Sequence, residues 1–234
     1  MIAHQKLIRD GVGQLAPIGV SMSVKKALVK KIDFDTAKEI ILKYEWLGTM
    51  ASTSTHYGIF FDGHIAGAVC FGNNVAANAY INKFFGVRKS ELYLLARGAC
   101  VSWAPKNTNS RLIGQSLRLL AEDDECAKIV IAYADPSAGE VGIVYQATNW
   151  IYLGKSRSRT CVVAADGKIL HSRKFSQIGG VRAMKEYVAT NVGSKIWHEK
   201  DQPKKGRYAF ILRDDDHAVY NKVSKFILPY PKRN

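Results

Sequence analysis

Apolar residues follow two rhythms along this chain, and the switch between them marks the elements. Across residues 33–47, Phe34, Ala37, Ile40, Ile41, Tyr44 and Leu47 recur at three- and four-residue spacing, which predicts an amphipathic helix. Asp33 stands where an N-cap belongs and Gly48 where a helix ends. Upstream, SVKKALVKKI (23–32) alternates partly between basic and apolar residues, the pattern of a strand with one wet face. Downstream, two apolar runs at 57–61 and 65–71 flank Asp62-Gly63, a dipeptide suited to a two-residue hairpin. Residues 72–87 read as a loop with a helical turn.

A longer strand is expected over 91–101 (ELYLLARGACV), ending at the loop that Ala104-Pro105 opens. Asn107 or Asn109 can cap the next helix, which turns Leu112, Ile113, Ser116, Leu119 and Leu120 inward for about four turns. KIVIAYA (128–134) is continuously apolar, as a strand buried on both faces must be. A short helix (139–149) and a strand (150–153) follow. Further strands are expected at 160–164 and 168–171 around Asp166-Gly167, a helix at 181–190, and a strand at 207–212. The tail KFILPYPKRN is expected to lie along the surface. This order defines an α/β layered fold with a mixed sheet. Residues 1–22, with Gly11, Gly13, Pro17 and Gly19, read as a flexible arm, and 23–234 as one domain. Within it we expect a core to about residue 165 and an elaboration over 166–234.

Charge changes the picture. Lys and Arg total 34 against 20 Asp and Glu, a net +14, which favours a polyanionic partner over a merely basic surface. No apolar run approaches the ~18 residues of a membrane span, and the N-terminus lacks a secretory signal pattern. Cys70, Cys100, Cys126 and Cys161 lie among apolar neighbours without a CxxC, as reduced thiols of a cytoplasmic protein would.

Candidate chemistry concentrates between residues 91 and 154. Arg97 interrupts an apolar strand, so its guanidinium must face a carboxylate, a ligand or a wet cleft. Asp135 directly follows the most apolar strand, at the edge where α/β proteins place ligands, although Asp-Pro-Ser is also an ordinary turn opener. Tyr145 lies ten residues on, as acid, base, hydrogen-bond donor or simple packing. Lys106, Asn107, Ser110 and Arg111 surround a helix N-terminus that suits a phosphate, or serve as caps and solvated charges. Trp46 can stack a displaced base, and His56 is a possible base or metal ligand, or a structural histidine.

KNTNSRLIG (106–114), YADPSAGEVGIVYQATNWIYLG (133–154), HSR (171–173), KGRY (205–208) and LPYPK (228–232) resemble the bacteriophage Mom family of DNA-modification proteins, from about residue 30 to the C-terminus. The resemblance implies a fold like the GNAT acyltransferases. It implies conversion of adenine in DNA to an N6-carbamoylmethyl derivative that resists host restriction. The family's implicated residues fall on Arg97, Ser110, Asp135 and Tyr145. The Gly-rich loop with which acetyl-CoA-dependent GNAT enzymes cradle pyrophosphate is replaced here by PKNTNSRLIG, with one late Gly114, which argues against acetyl-CoA. A His-Tyr pair linked to metal binding in some relatives falls on Glu45-Trp46, leaving a metal unassigned.

The reading that results is a DNA-adenine transferase. Lys25–Lys31, Lys106, Arg111, Arg157, Arg159, Arg173, Lys204, Lys205 and Arg207 would hold the phosphates of double-stranded DNA. Trp46 or Tyr57 would stack the extruded adenine, Asp135 would accept or polarise the N6 proton, Tyr145 would donate, and Arg97 would hold the donor. The donor stays open; an aminoacyl-tRNA such as glycyl-tRNA is one option, which would make tRNA a second partner. No membrane partner is expected, and the oligomeric state stays open, a homodimer included. Two alternatives remain: a non-catalytic nucleic-acid-binding protein on the same scaffold, and an N-acyltransferase for small molecules or proteins.

Overall fold

The computed structural model describes residues 15–72, 84–136, 139–156, 160–171, 175, 178–197, 204–213 and 217–232. Strand β1 (Leu28–Lys31) and helix α1 (Phe34–Tyr44) lead into the hairpin β2 (Thr55–Phe61) and β3 (His64–Gly72). Strand β4 (Leu92–Cys100), helix α2 (Thr108–Asp123) and strand β5 (Ile129–Ala134) follow. Next come the short helix α3 (Ile143–Gln146) and β6 (Ile151–Lys155). The chain continues through β7 (Cys161–Val163), β8 (Ile169–His171), α4 (Val181–Thr190), β9 (Lys195–Trp197), β10 (Gly206–Ile211) and α5 (His217–Ser224).

Seven strands form one sheet in the order β1-β2-β3-β4-β5-β10-β6. Every neighbouring pair is antiparallel except β4 with β5. The fold is therefore α/β with a mixed central sheet flanked by helices, as expected. Asp33 caps α1 through its carboxylate, which accepts from the Thr36 amide at 2.8 Å. Asp62 and Gly63 carry φ of 45° and 85°, the left-handed pair that a two-residue hairpin turn requires. Strand β5 is buried on both faces. Val130, Ala132 and Ala134 join the core built with Leu112, Ile113, Leu117 and Leu120 of α2, while Ile129 and Ile131 pack with Phe85, Leu153, Val219 and Val223.

The expected boundary at residue 165 is corrected. β10 lies between β5 and β6, so the C-terminal quarter supplies a central strand of the main sheet. The reason is long-range: the edge of β5 away from β4 stays unpaired until β10 returns to lie between β5 and β6. The segment between β6 and β10 carries a separate three-stranded sheet, ordered β8-β7-β9, whose own small core holds Val162, Leu170, Phe175, Ala183 and Met184. The tail does more than lie on the surface. Leu228 donates its amide to the Tyr152 carbonyl at 2.9 Å, and the Tyr230 hydroxyl donates to the Trp150 carbonyl at 2.6 Å.

Other expectations shift in extent. The strand expected from residue 23 begins at Leu28, because Lys26 and Ala27 close turns onto Ser23 and Val24. The helix expected over 139–149 shrinks to Ile143–Gln146, since Gly139 and Gly142 take φ of 72° and 79°, outside helical range. Asn107 precedes α2 in a left-handed conformation and makes no side-chain cap. Of the expected arm, residues 1–14 lie outside the described residues, as does 73–83 of the expected loop. Among residues 15–22, Leu15 and Ile18 are exposed, while the Ser21 amide donates to Asp62 at 2.7 Å. Strand β9 and helix α5 were not foreseen. No described helix is long and apolar enough to cross a membrane.

The placement of β10 makes a direct prediction. A chain ending at residue 165 exposes the bonding edges of β5 and β6 and loses Tyr208, which is fully buried. It should show no cooperative thermal transition by circular dichroism, whereas the full chain should melt in one.

Candidate active site

β4 and β5 run parallel but pair only over Leu92–Leu94 against Ile129–Ile131. Past that point β4 keeps pairing with β3 and β5 with β10, so the two C-terminal halves part. A bulge in β4 helps: Cys70 faces Arg97 and Phe71 faces Leu95, leaving Ala96 as the extra residue. The opening lies at the carboxyl ends of the two parallel strands, the edge where α/β sheets hold ligands. Arg97 stands on one side of it and Asp135 on the other.

Asp135 is 5 % exposed, and Lys205 neutralises it at 2.5 Å. The register explains the pair: Gly206 lies opposite Ala134, so the preceding lysine falls opposite the following aspartate. Lys205 was expected on a phosphate-binding surface, and the sheet instead turns it onto this carboxylate. Glu140 folds back over the same strand end. Its Oε2 accepts the Asp135 amide at 3.1 Å, and its own amide donates to the Asp135 carbonyl at 3.2 Å. Burial, and then the charges of Asp135 and Glu45, push the Glu140 carboxyl up to about 6, against partial relief from the Asp135 amide and Lys205. Glu45 follows α1, with Oε2 holding the amides of Leu47 and Gly48 at 2.8 and 3.2 Å. Burial raises its pKa too, offset first by Arg97 and, less strongly, by Lys205. These electrostatic couplings link Arg97, Glu45, Lys205, Glu140 and Asp135 into one cluster.

Arg97 is half-buried and fixes the turn after α1. Its Nε donates to the Thr49 carbonyl at 2.7 Å and its Nη2 to the Thr49 hydroxyl at 3.2 Å, while Nη1 donates to the Ala96 carbonyl at 2.7 Å. Tyr145 lies between the rings of Trp150 and Tyr208, at centroid distances of 5.1 and 5.0 Å. Burial, with the charge of Glu140, holds its hydroxyl protonated far above neutrality, so it acts as a donor. The loop before α3 is pinned from below, because the Tyr208 hydroxyl donates to the Val141 carbonyl at 2.7 Å. Gly142 is obligatory there: a Cβ would stand 2.4 Å from the Tyr208 ring.

Of the remaining expected residues, Ser110 and Arg111 occupy the first turn of α2, a helix that packs on α3. Lys106 and Asn107 are exposed just before it. Ser110 makes no hydrogen bond among the described residues, and none of these four is coupled to the Asp135 cluster. Trp46 is half-buried in the turn that Glu45 and Arg97 hold. Tyr57 cannot stack a base: it is fully buried in the main core and its hydroxyl donates to Asp123 at 2.9 Å. His56 is buried too, with Nε2 2.9 Å from the Thr53 hydroxyl and its ring edge-on to Phe34. Burial lowers its pKa, and no group of three metal-ligating side chains forms among the described residues. Arg207 faces inward, donating to the Leu153 carbonyl at 3.0 Å with its guanidinium over Phe84. Lys204 is exposed, while Arg157, Arg159 and Arg173 lie outside the described residues. Glu140 was missed; a carboxylate between two glycines, five residues after Asp135, was the available signal.

This chain belongs to the Mom protein family, whose model matches residues 26–232. A curated relative, the methylcarbamoylase mom of Escherichia phage Mu, is 24 % identical over 216 residues, covering 91 % of this chain and 87 % of that protein. Solved structures with a similar outline include the ribosomal-protein-S5-alanine acetyltransferase of Vibrio fischeri, 9 % identical with a TM-score of 0.44, covering 80 % of this chain and 94 % of that one. FeeM, an N-acyl amino acid synthase from uncultured soil microbes, is 10 % identical with a TM-score of 0.45, covering 81 % and 92 %. Likeness at that level does not extend to substrate or cofactor.

The raised Glu140 carboxyl carries a stability prediction. Native Glu140 holds its proton to about pH 6 against a reference of 4.5, so its contribution to stability is full below about 4.5 and is lost as pH rises through 6. Glu140→Gln keeps the acceptor for the Asp135 amide and never ionises. It should match wild type at pH 4 and exceed it by up to about 2 kcal/mol at pH 7, measured by urea denaturation.

Proposed function

We propose that this protein is a phage DNA-modification enzyme that transfers a group to the exocyclic N6 of adenine in DNA, yielding N6-carbamoylmethyladenine and shielding the DNA from restriction. Family membership and the phage Mu relative support the class. The observation that carries the chemistry is the cluster of Arg97, Glu45, Glu140, Asp135 and Lys205 at the mouth where β4 and β5 part. A buried carboxylate at a strand end, paired with a lysine, can accept a hydrogen bond from an amino group. A protonated tyrosine beside it is a donor for a carbonyl oxygen.

In this reading the net +14 holds the duplex, and the adenine leaves the base stack to bring N6 to the cluster. Asp135 accepts a hydrogen bond from the N6 amino group and orients its lone pair. Tyr145 donates to the carbonyl oxygen of the donor, and the two guanidinium hydrogens that Arg97 does not spend on Thr49 and Ala96 hold the donor in place. The donor is an aminoacyl ester, glycyl-tRNA. The N6 nitrogen attacks the ester carbon and the C–O bond breaks. The glycyl amine then attacks C6 and the original C6–N6 bond opens, leaving that nitrogen as the terminal amide. Trp46 remains the candidate for stacking.

Nucleosides from plasmid DNA of expressing cells, analysed by mass spectrometry, test this. Wild type should yield deoxyadenosine with an added carbamoylmethyl mass, and Asp135→Asn should cut its level at least about 100-fold. Asparagine is preferred to alanine because its side-chain oxygen keeps a hydrogen-bond acceptor opposite Lys205. Unmodified DNA from folded, expressed wild type would refute the reading.

A further inference from the structure

Asp135 is the obvious proton acceptor in such a reaction, and the geometry argues against it. Its carboxylate is in direct contact with the Lys205 ammonium, so the lysine already occupies it. Its backbone amide is spent on Glu140. Glu140 is arranged differently. One oxygen, Oε2, is tied to the Asp135 amide, and the other, Oε1, meets no donor among the described residues. The residue is held at both ends of a tight loop, since its amide returns to the Asp135 carbonyl and the loop is clamped by Tyr208 on Val141. The groups facing it are Asp135 after β5, Glu45 after α1, Lys205 before β10 and Tyr145 on α3. It is therefore hydrogen-bonded to the residue that orients N6 and within electrostatic reach of the residue that donates to the acyl oxygen.

We propose that Glu140, through Oε1, is the catalytic residue that takes the proton from N6 as the new C–N bond forms, with Asp135 orienting the amino group. This rests on the transfer chemistry proposed above. As the N6 lone pair closes on the ester carbon, the C–O bond breaks and the N6 proton passes to Glu140. The departing alkoxide takes a proton from solvent, and Glu140 returns its own to solvent after release. Two carboxylates with different neighbours thus divide the work. The lysine-paired one orients the amino group, and the other, whose carboxyl burial and then the charges of Asp135 and Glu45 push up to about 6, takes the proton.

The test uses purified full-length protein, plasmid DNA, and clarified extract of host cells lacking the protein as the donor source. The initial rate of modified deoxyadenosine is read by mass spectrometry between pH 5 and 8. Wild type should lose rate below about pH 6, as the Glu140 carboxylate protonates. Glu140→Gln should fall about 100-fold and lose that limb, while folding as well as wild type. Asp135→Asn should keep the limb but shift it to lower pH, because a repelling charge beside Glu140 is gone. If wild type modifies DNA and Glu140→Gln keeps more than a tenth of the rate with the limb in place, the assignment to Glu140 is wrong. If wild type modifies no DNA in extract or in cells, the transferase reading itself fails. Should Glu140→Gln not fold, Glu140→Asp decides: a wild-type rate and profile overturns the assignment, and a slower rate with a displaced limb supports it.

Discussion

The parting of β4 from β5 is the constraint on which the site depends. Two parallel strands in mid-sheet normally satisfy each other's backbone groups along their length, and here they do so for three residues only. The separation is sustained from both sides. β3 holds β4 through a bulge at Ala96, and β10 holds β5 to its end. Had β10 not entered between β5 and β6, β5 would have had no partner to pull it away, and Asp135 would have met solvent instead of Lys205. The same strand thus completes the sheet, opens the cleft and delivers the counter-ion.

Charge placement follows from that geometry. A buried carboxylate without a partner is costly, and the antiparallel register sets Lys205 against Asp135. Burial raises the pKa of both Glu45 and Glu140, and for Glu140 the charges of Asp135 and Glu45 add to it. In a strongly basic protein this acidic pocket is conspicuous.

Much of this was legible in the sequence, and the divisions are physical. Period and turn chemistry are local, so α1, the Asp62-Gly63 hairpin, α2, β5 and α4 could be read directly. Arg97, Asp135 and Tyr145 stood out as polar groups in an apolar context; Arg97 and Asp135 lie on the two strands that part, and Tyr145 packs between Trp150 and Tyr208. Strand partners are not local: β10 was anticipated as a strand, but nothing in residues 206–211 says that it lies beside β5. For the same reason the contacts of Lys205 with Asp135 and of Arg207 with the Leu153 carbonyl could not be read from sequence, since only the register reveals them. Tyr57 looked available because its strand is apolar on both sides, and the helix that buries it begins some fifty residues later. Glu140 was hidden by a helix expected too long. Its role depends on two left-handed glycines that convert the segment into a return loop.

The central claim is that an adenine leaves the duplex and seats its N6 at the strand ends of β4 and β5. A crystal structure of the Glu140→Gln protein with a short adenine-containing DNA duplex tests it most directly. The account predicts one adenine rotated out of the stack, its N6 within hydrogen-bond distance of the Asp135 carboxylate and its ring beside Trp46. A duplex bound with every base stacked, or an adenine seated away from Asp135, would contradict it.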